Sequence, residues 1–269
     1  DKAVVSNLTY TDGERFTFFN EAVLESLSLL KVMPDILHIN DWQTGLIPYL
    51  LKARYKQIPT YRKIKTVLTM HCTKNQGIFP IEMETIIDAN STPLLYANDK
   101  INFLKAGIME ADMITTISPS FKEETLEEDF DSNLHFPLLD RKDEYYGILN
   151  GIDYEIHSPE KNQALFYNYN VGNVIKGKEE NKRIFKETFG LPNINCMLVG
   201  FVGQLTDLKG MELMVQVLED LIINTDVQFF FLGCGEQKYI DHLEYLTRKY
   251  PERFRCYIGV NYDLAYKIY

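Results

Sequence analysis

The chain has 269 residues, with 28 Lys+Arg against 38 Asp+Glu for a formal charge of −10, and with 45% apolar and 13% aromatic residues. That length fits about two ordinary domains, and the composition excludes a disordered, collagen-like or coiled-coil chain. The acidic balance removes electrostatic support for nucleic-acid binding, yet a few local cations can still hold an anionic ligand in a cleft.

In chain order, PDILHI (Pro34–Ile39) reads as a short buried strand, and TGLIPYLLKARY after it as a helix with an early proline. Lys65–His71 is the next strand, rich in β-branched and apolar residues. Phe103–Asp112 is helical, Met113–Ser118 a strand, and Ser118-Pro119 a helix start, with serine as cap and proline in the first turn. Tyr145–Gly151 ends another strand at a glycine turn. The rhythm continues with a helix over Asn181–Gly190, capped by Gly190, and a strand over Met197–Gly203. A helix in MELMVQVLEDLI, a strand over Val227–Gly233, a helix in IDHLEYLTRKY and a strand over Arg253–Gly259 follow, and DLAYKIY closes the chain in an apolar helical pattern.

Alternating βα units predict parallel sheets with helices on both faces. The strand before GIDYEIHSPE gives way to a polar stretch, which sets the expected domains at 1–155 and 156–269, both doubly wound and Rossmann-like. Each offers three or four strands where such a domain usually has about five or six, so both sheets are expected to lack strands and the chain to be cut at both ends. No apolar run is long enough for a transmembrane helix, and DKAVVSNLTY lacks the charged and apolar regions of a signal peptide. Cys72, Cys196, Cys234 and Cys256 stand far apart with no C-x-x-C, which predicts reduced thiols and no metal site.

In open parallel sheets ligands bind beyond the carboxyl ends of the strands, and four polar clusters fall there. Asp41 and Trp42 in HINDWQTG follow a strand and precede a helix, so Asp41 reads equally well as a helix N-cap. His71 in MHCTKNQGIFP ends a strand, where a histidine is more often structural than functional. In FVGQLTDLKG, Gly203 and Gln204 end a strand and Lys209-Gly210 opens a helix. Lys209 can pair with a phosphate at the helix N-terminus or stand as an ordinary surface lysine. Gly233 and Gly235 in FLGCGEQ can admit a nucleotide to the backbone amides or simply form a turn. No phosphate-loop, dinucleotide, nucleophile-elbow or zinc-protease motif is present.

In their order and spacing, PDILHINDWQTGLIPYLL, TVLTMHCTKNQGIFP, INFLKAGIMEADMITTISPSFKEE, GILNGID, FVGQLTDLKG, FFFLGCGE and RCYIGVNYDLAYKIY resemble the glycogen and starch synthases, glycosyltransferase family 5. The resemblance implies a GT-B fold, two Rossmann-like domains facing a cleft. It implies transfer of glucose from ADP-glucose or UDP-glucose to the non-reducing end of an α-1,4-glucan, with retention, without metal or other cofactor, in a bacterial cytoplasm or a plastid. Under it, His71, Lys209 and Asp41 are the catalytic residues: Lys209 matches the phosphate-binding lysine and His71 the histidine facing the reacting sugar. Asp41 and Trp42 match the pair lining the glucose pocket, and Asn150 the asparagine of the Leu-Asn-Gly turn. Tyr10 in NLTYTDGERF matches an aromatic on the acceptor side, while Gly203, Gln204, Gly233 and Gly235 fall on the donor side. A nucleoside diphosphate leaving group calls for cations on its phosphates rather than for a general acid.

The departures from the family pattern are specific. Gln204 stands where the family has an arginine on the donor phosphates, and a neutral amide cannot make that charged bidentate contact; by analogy with a lost oxyanion donor the cost is about 10²–10³ in rate. Val260 replaces a tyrosine that stacks on adenine, Cys72 the asparagine after the histidine, and His157 a tryptophan. The family's Lys-Thr-Gly-Gly-Leu loop has no counterpart in these residues, nor has its glutamate-containing donor motif. The alternative expectation is therefore a catalytically degenerate paralogue that binds glucan or a partner synthase, and the 269-residue chain alone is expected to transfer little or no glucose.

Overall fold

The computed structural model describes residues 9–83, 87, 96–97, 100–130 and 132–269, so Asn7 and Leu8 of NLTYTDGERF lie outside it. The chain divides into two compact units, Asp1–Gly151 and Ile152–Tyr269. In the first, α1 (Tyr10–Leu29) precedes β1 (Ile36–Asn40), α2 (Ile47–Leu50) and β2 (Lys65–Met70). A small antiparallel sheet of β3 (Ile78–Pro80), β4 (Tyr96–Ala97) and β5 (Lys100–Asn102) leads into α3 (Phe103–Glu110) and β6 (Met113–Thr116). Then come α4 (Pro119–Thr125), α5 (Ser132–Asp140) and β7 (Tyr145–Gly147). The main sheet is parallel throughout, in the order β1-β2-β6-β7.

The second unit contains α6 (Val174–Thr188), β8 (Leu198–Val202), α7 (Met211–Asn224), β9 (Gln228–Gly233), α8 (Gln237–Lys249), β10 (Phe254–Ile258) and α9 (Tyr262–Ile268). Its sheet is also parallel, in the order β10-β9-β8. Every residue of β9 is buried, as befits a central strand covered on both faces. Phe229 and Phe231 join Leu218, Leu243 and Phe254 on one side, and Phe230 and Leu232 join Phe185, Leu191 and Leu264 on the other. Helices therefore cover both faces, as the alternation predicts. In the first unit a single core takes α1, α2, α3 and α5 together with Ile39, Leu68, Met70, Ile114 and Tyr145. Residues of the opposite pleat, His38, Asn40 and Tyr146, are exposed.

Several local structures depart from the sequence pattern. The helix expected over TGLIPYLLKARY is instead a short turn over Trp42–Thr44, then α2 with Pro48 in its first turn, then a wider π turn over Leu51–Tyr55. The twenty-residue α1 carries no clear apolar stripe: Thr17 and Asn20 are buried, whereas Phe18 and Phe19 are exposed. Asn20 makes its burial tolerable by donating through Nδ2 to the carbonyls of Phe16 (2.6 Å) and Gln43 (2.7 Å), which pins α1 to the turn after β1. Ser118 caps α4 by accepting from the amide of Phe121, and Gly190 adopts φ +70° just past α6, as the sequence suggests. At the end of α1 the left-handed position is taken by Lys31 (φ 55°), and the amide of Val32 closes the motif on the carbonyl of Leu27.

Asp112 joins the starts of β2 and β6. It accepts from Lys65 Nζ and from the amide of Thr66, both at 2.8 Å. Partial burial opposes its ionisation, but the Lys65 ammonium and the Thr66 donors outweigh that and hold the carboxyl below its ordinary value. Its folded pKa being depressed, the stability it contributes is present above the unfolded carboxylate pKa and lost as pH falls through the folded one. Urea unfolding followed from neutral pH into the acid range should show this loss, and Asp112→Asn should flatten the acid limb. Lys31→Gly should raise stability by up to about 1 kcal/mol, because glycine adopts the left-handed conformation without a Cβ penalty; thermal unfolding checks the sign.

Candidate functional site

Each unit carries part of its expected set at the carboxyl edge of its sheet. In the first, Asp41 follows β1 and His71 follows the neighbouring β2. The Asp41 backbone is left-handed (φ 53°), a conformation unusual for a residue with a side chain, and its amide donates to the carbonyl of Thr69 at 2.9 Å. This aims the carboxylate across the edge, where Oδ1 accepts from the amides of His71 (2.7 Å) and Cys72 (3.2 Å). Asp41 stands at the cap position of the Trp42–Thr44 turn but makes no capping bond, so its side chain serves the β2 loop rather than the helix.

The imidazole of His71 is held as well. Its Nε2 lies 2.9 Å from Oδ1 of Asn40, a contact in which the amide oxygen accepts and Nε2 donates, while Nδ1 has no hydrogen bond among the described residues. Asn40 is fixed in turn by Thr44, whose hydroxyl accepts from the Asn40 amide (2.8 Å) and donates to the Asn40 carbonyl (2.7 Å). Asn40 and Thr44 are the residues sequence reasoning missed; both sit inside HINDWQT, and their signal is only their proximity to Asp41. The loop after His71 is anchored at its far end, where the carbonyls of Gln76 and Gly77 receive the first amides of α3.

Trp42, expected beside Asp41 in the glucose pocket, is placed in the core. Its side chain is 2% exposed and lies among the rings of Phe16 (4.8 Å), Phe79 (5.8 Å) and Phe103 (6.4 Å). A Cβ on Gly77 would come within 2.4 Å of the indole. The residue is a core pillar next to Asp41. Asn150 is exposed beyond β7, two strands away from His71 in the sheet order. Tyr10, 41% exposed, lies in the first turn of α1, and no hydrogen bond among the described residues joins it to the Asp41–His71 cluster.

In the second unit, Gly203 and Gln204 follow β8, and Lys209 ends the turn Asp207–Lys209 that leads through Gly210 into α7. Lys209 is exposed, with no ion pair among the described residues. Gly233 and Gly235 have a packing requirement of their own: a Cβ on either would strike the β8 loop, 2.1 Å from the Gly203 carbonyl and 2.3 Å from the Leu205 carbonyl. Reciprocal backbone bonds from Leu205 to Cys234 and from Glu236 to Leu205, each 2.9 Å, weld the two loops together. Lys238 lies 3.2 Å from Glu236 and 3.3 Å from Asp207. The Tyr239 hydroxyl and these two carboxylates hold its ammonium above the ordinary lysine value. The second cation of this edge is thus already neutralised within the protein. Among the described residues, no group of three or more His, Cys, Asp or Glu is arranged to hold a metal ion, and no helix is long and apolar enough to cross a membrane.

The Asn40 bond predicts a single His71 tautomer, protonated at Nε2. Nitrogen-15 NMR of the ring should report that form, and Asn40→Ala should convert it to a mixture of tautomers while the fold persists.

Comparison with known proteins matches residues 4–138 to the family described as "Starch synthase catalytic domain". Glycogen synthase of Bacillus licheniformis is 40% identical over 266 residues, covering 97% of this chain and 55% of that protein. Glycogen synthase of Acholeplasma laidlawii is 40% identical over 263 residues, with the same coverage of 97% and 55%. The catalytic domain of starch synthase IV from Arabidopsis thaliana, solved bound to ADP and acarbose, aligns with a TM-score of 0.86 at 25% identity, over 97% of this chain and 55% of that one. The two parallel α/β units thus have the GT-B architecture of that domain, and the chain spans about half the length of the curated relatives it matches. By the family match across half its residues, this chain belongs to the starch synthase catalytic-domain family.

Proposed function

We propose that this chain is the larger part of a retaining glucosyltransferase that moves glucose from ADP-glucose or UDP-glucose to the non-reducing end of an α-1,4-glucan. The observation that carries the reading is the 40% identity to glycogen synthases along 97% of the chain. The ADP and acarbose in the Arabidopsis relative support a nucleotide donor and a glucan-like acceptor. A bacterial cytoplasm or a plastid suits such chemistry.

In this reading Lys209 neutralises charge developing on the departing diphosphate, in a loop whose backbone is already fixed by Leu205. Breaking a glycosyl–phosphate bond releases an anion of low basicity, so fixed cations replace both a general acid and a metal. His71, locked by Asn40, offers Nδ1 as an acceptor to a sugar hydroxyl, and Asp41 holds the amides that set the ring in place. Asn150 contributes on the sugar side and Tyr10 on the acceptor side. Glutamine at 204 brings no charge to the phosphates, and Val260, 67% exposed, has no ring for a base to stack on.

A second reading, a glucan-binding paralogue without donor chemistry, draws on one observation: Lys238, which lies on the same loop edge, is committed to Asp207 and Glu236. The deciding assay measures glucose transfer from both donors into glycogen by the complete gene product and its Gln204→Arg variant. Transfer by the unaltered protein, rising by about 10²–10³-fold in the variant, is expected for a synthase weakened at one phosphate contact. Glucan binding with no transfer by either protein would establish the second reading.

A further inference from the structure

Between Asp41 and Glu82 the sequence has no acidic residue, while Lys52, Arg54, Lys56, Arg62, Lys63, Lys65 and Lys74 are all basic. In a chain where acids outnumber bases 38 to 28, this run reverses the average charge. The fold turns part of it into a concavity. The π turn over Leu51–Tyr55 and the turn over Tyr61–Lys63 bring Lys52, Lys56, Arg62 and Lys65 around a cavity of about 160 Å³, over a floor that includes the buried Tyr61 and Ile64. It opens at the amino end of β2, so the length of that strand, about 20 Å, separates it from Asp41 and His71.

Two of the four cations are matched from outside the run. Lys52 lies 3.1 Å from Glu110 and Lys65 lies 2.8 Å from Asp112. Asp112 is occupied further by the amide and hydroxyl of Thr66. Lys56 and Arg62 have no ion pair or hydrogen bond among the described residues, so four cations against two carboxylates leave two positive charges without a counterpart. Like charges gathered around one concavity repel, and water screens that repulsion only in part at such short range. A ligand with two negative charges and several acceptor oxygens removes that repulsion. The planar guanidinium fork of Arg62 suits two phosphate oxygens, and the lysines act as mobile point charges.

We propose that this cavity binds a phosphate dianion, supplied as inorganic phosphate or as a small phosphomonoester. The site is independent of the glucosyl-transfer reading, since it uses none of the residues assigned to donor or acceptor.

The test is an amide NMR titration of the complete gene product with inorganic phosphate and, separately, with glycerol phosphate, each at an ionic strength held constant with chloride. Saturable shifts are expected at residues 52–66 and at Asp112, with a Kd on the order of 1 mM, while amides around Asp41 and His71 stay in place. Lys56→Gln with Arg62→Gln should weaken binding at least tenfold. Should that double variant unfold, Arg62→Lys keeps the charge but loses the fork and should still weaken binding several-fold. Tighter binding of glycerol phosphate assigns the site to an ester, and equal or weaker binding assigns it to free phosphate; both support the site. Non-saturating shifts, an equal response to chloride alone, or undiminished binding by the folded variants would overturn it.

Discussion

The burial of one indole organises the first unit. Trp42 stands between Phe16 of α1, Phe79 of β3 and Phe103 of α3, so three elements distant in sequence close on a side chain adjacent to Asp41. Aromatic contacts of this kind add to the burial of a large apolar surface. The energy gained can hold the neighbouring Asp41 in its left-handed conformation, which a free chain would avoid. The strained backbone turns the carboxylate toward the β2 loop, and the loop amides hold it there. Packing, strain and polar geometry are in that order links of one chain of cause.

The second unit solves the same problem with backbone rather than side chains. Its loop after β8 is fixed by hydrogen bonds to the loop after β9, and glycine is required at 233 and 235 because two main chains lie too close for a Cβ. Beneath them, β9 sends alternate phenylalanines into two different cores, which leaves the strand little freedom to slip in register. The edge that carries Lys209 is therefore stiff, whatever side chains it displays.

The sheet-forming part of this fold was legible because parallel strands are short apolar runs punctuated by turns, and the predicted strands at Lys65, Met113, Val227 and Arg253 begin at or within one residue of the observed ones. Helix α1 was not legible, since its buried positions include Thr17 and Asn20, and the bond from Asn20 to the distant carbonyl of Gln43 is one that no periodicity reveals. The antiparallel strands β3 to β5 are two or three residues long and carry no alternation to read. At the candidate site, position along the chain located Asp41, His71 and Gln204 at strand ends and Lys209 at the start of a helix. It could not say that Trp42 faces the core while its neighbour faces the sheet edge. Nor could it separate glycines that admit a ligand from glycines that admit another backbone, because both uses leave the same residue in the same place.

Trp42 is also the single tryptophan of the chain. Excited beyond the tyrosine band, these 269 residues therefore emit from one point, in the core of the first unit, with phenylalanine rings as its surroundings. A buried indole emits at shorter wavelength than a hydrated one, so the emission maximum reports the integrity of that core and is silent about the second unit. Circular dichroism sees both. The native sequence thus contains the optical means of asking whether its two units unfold together or apart.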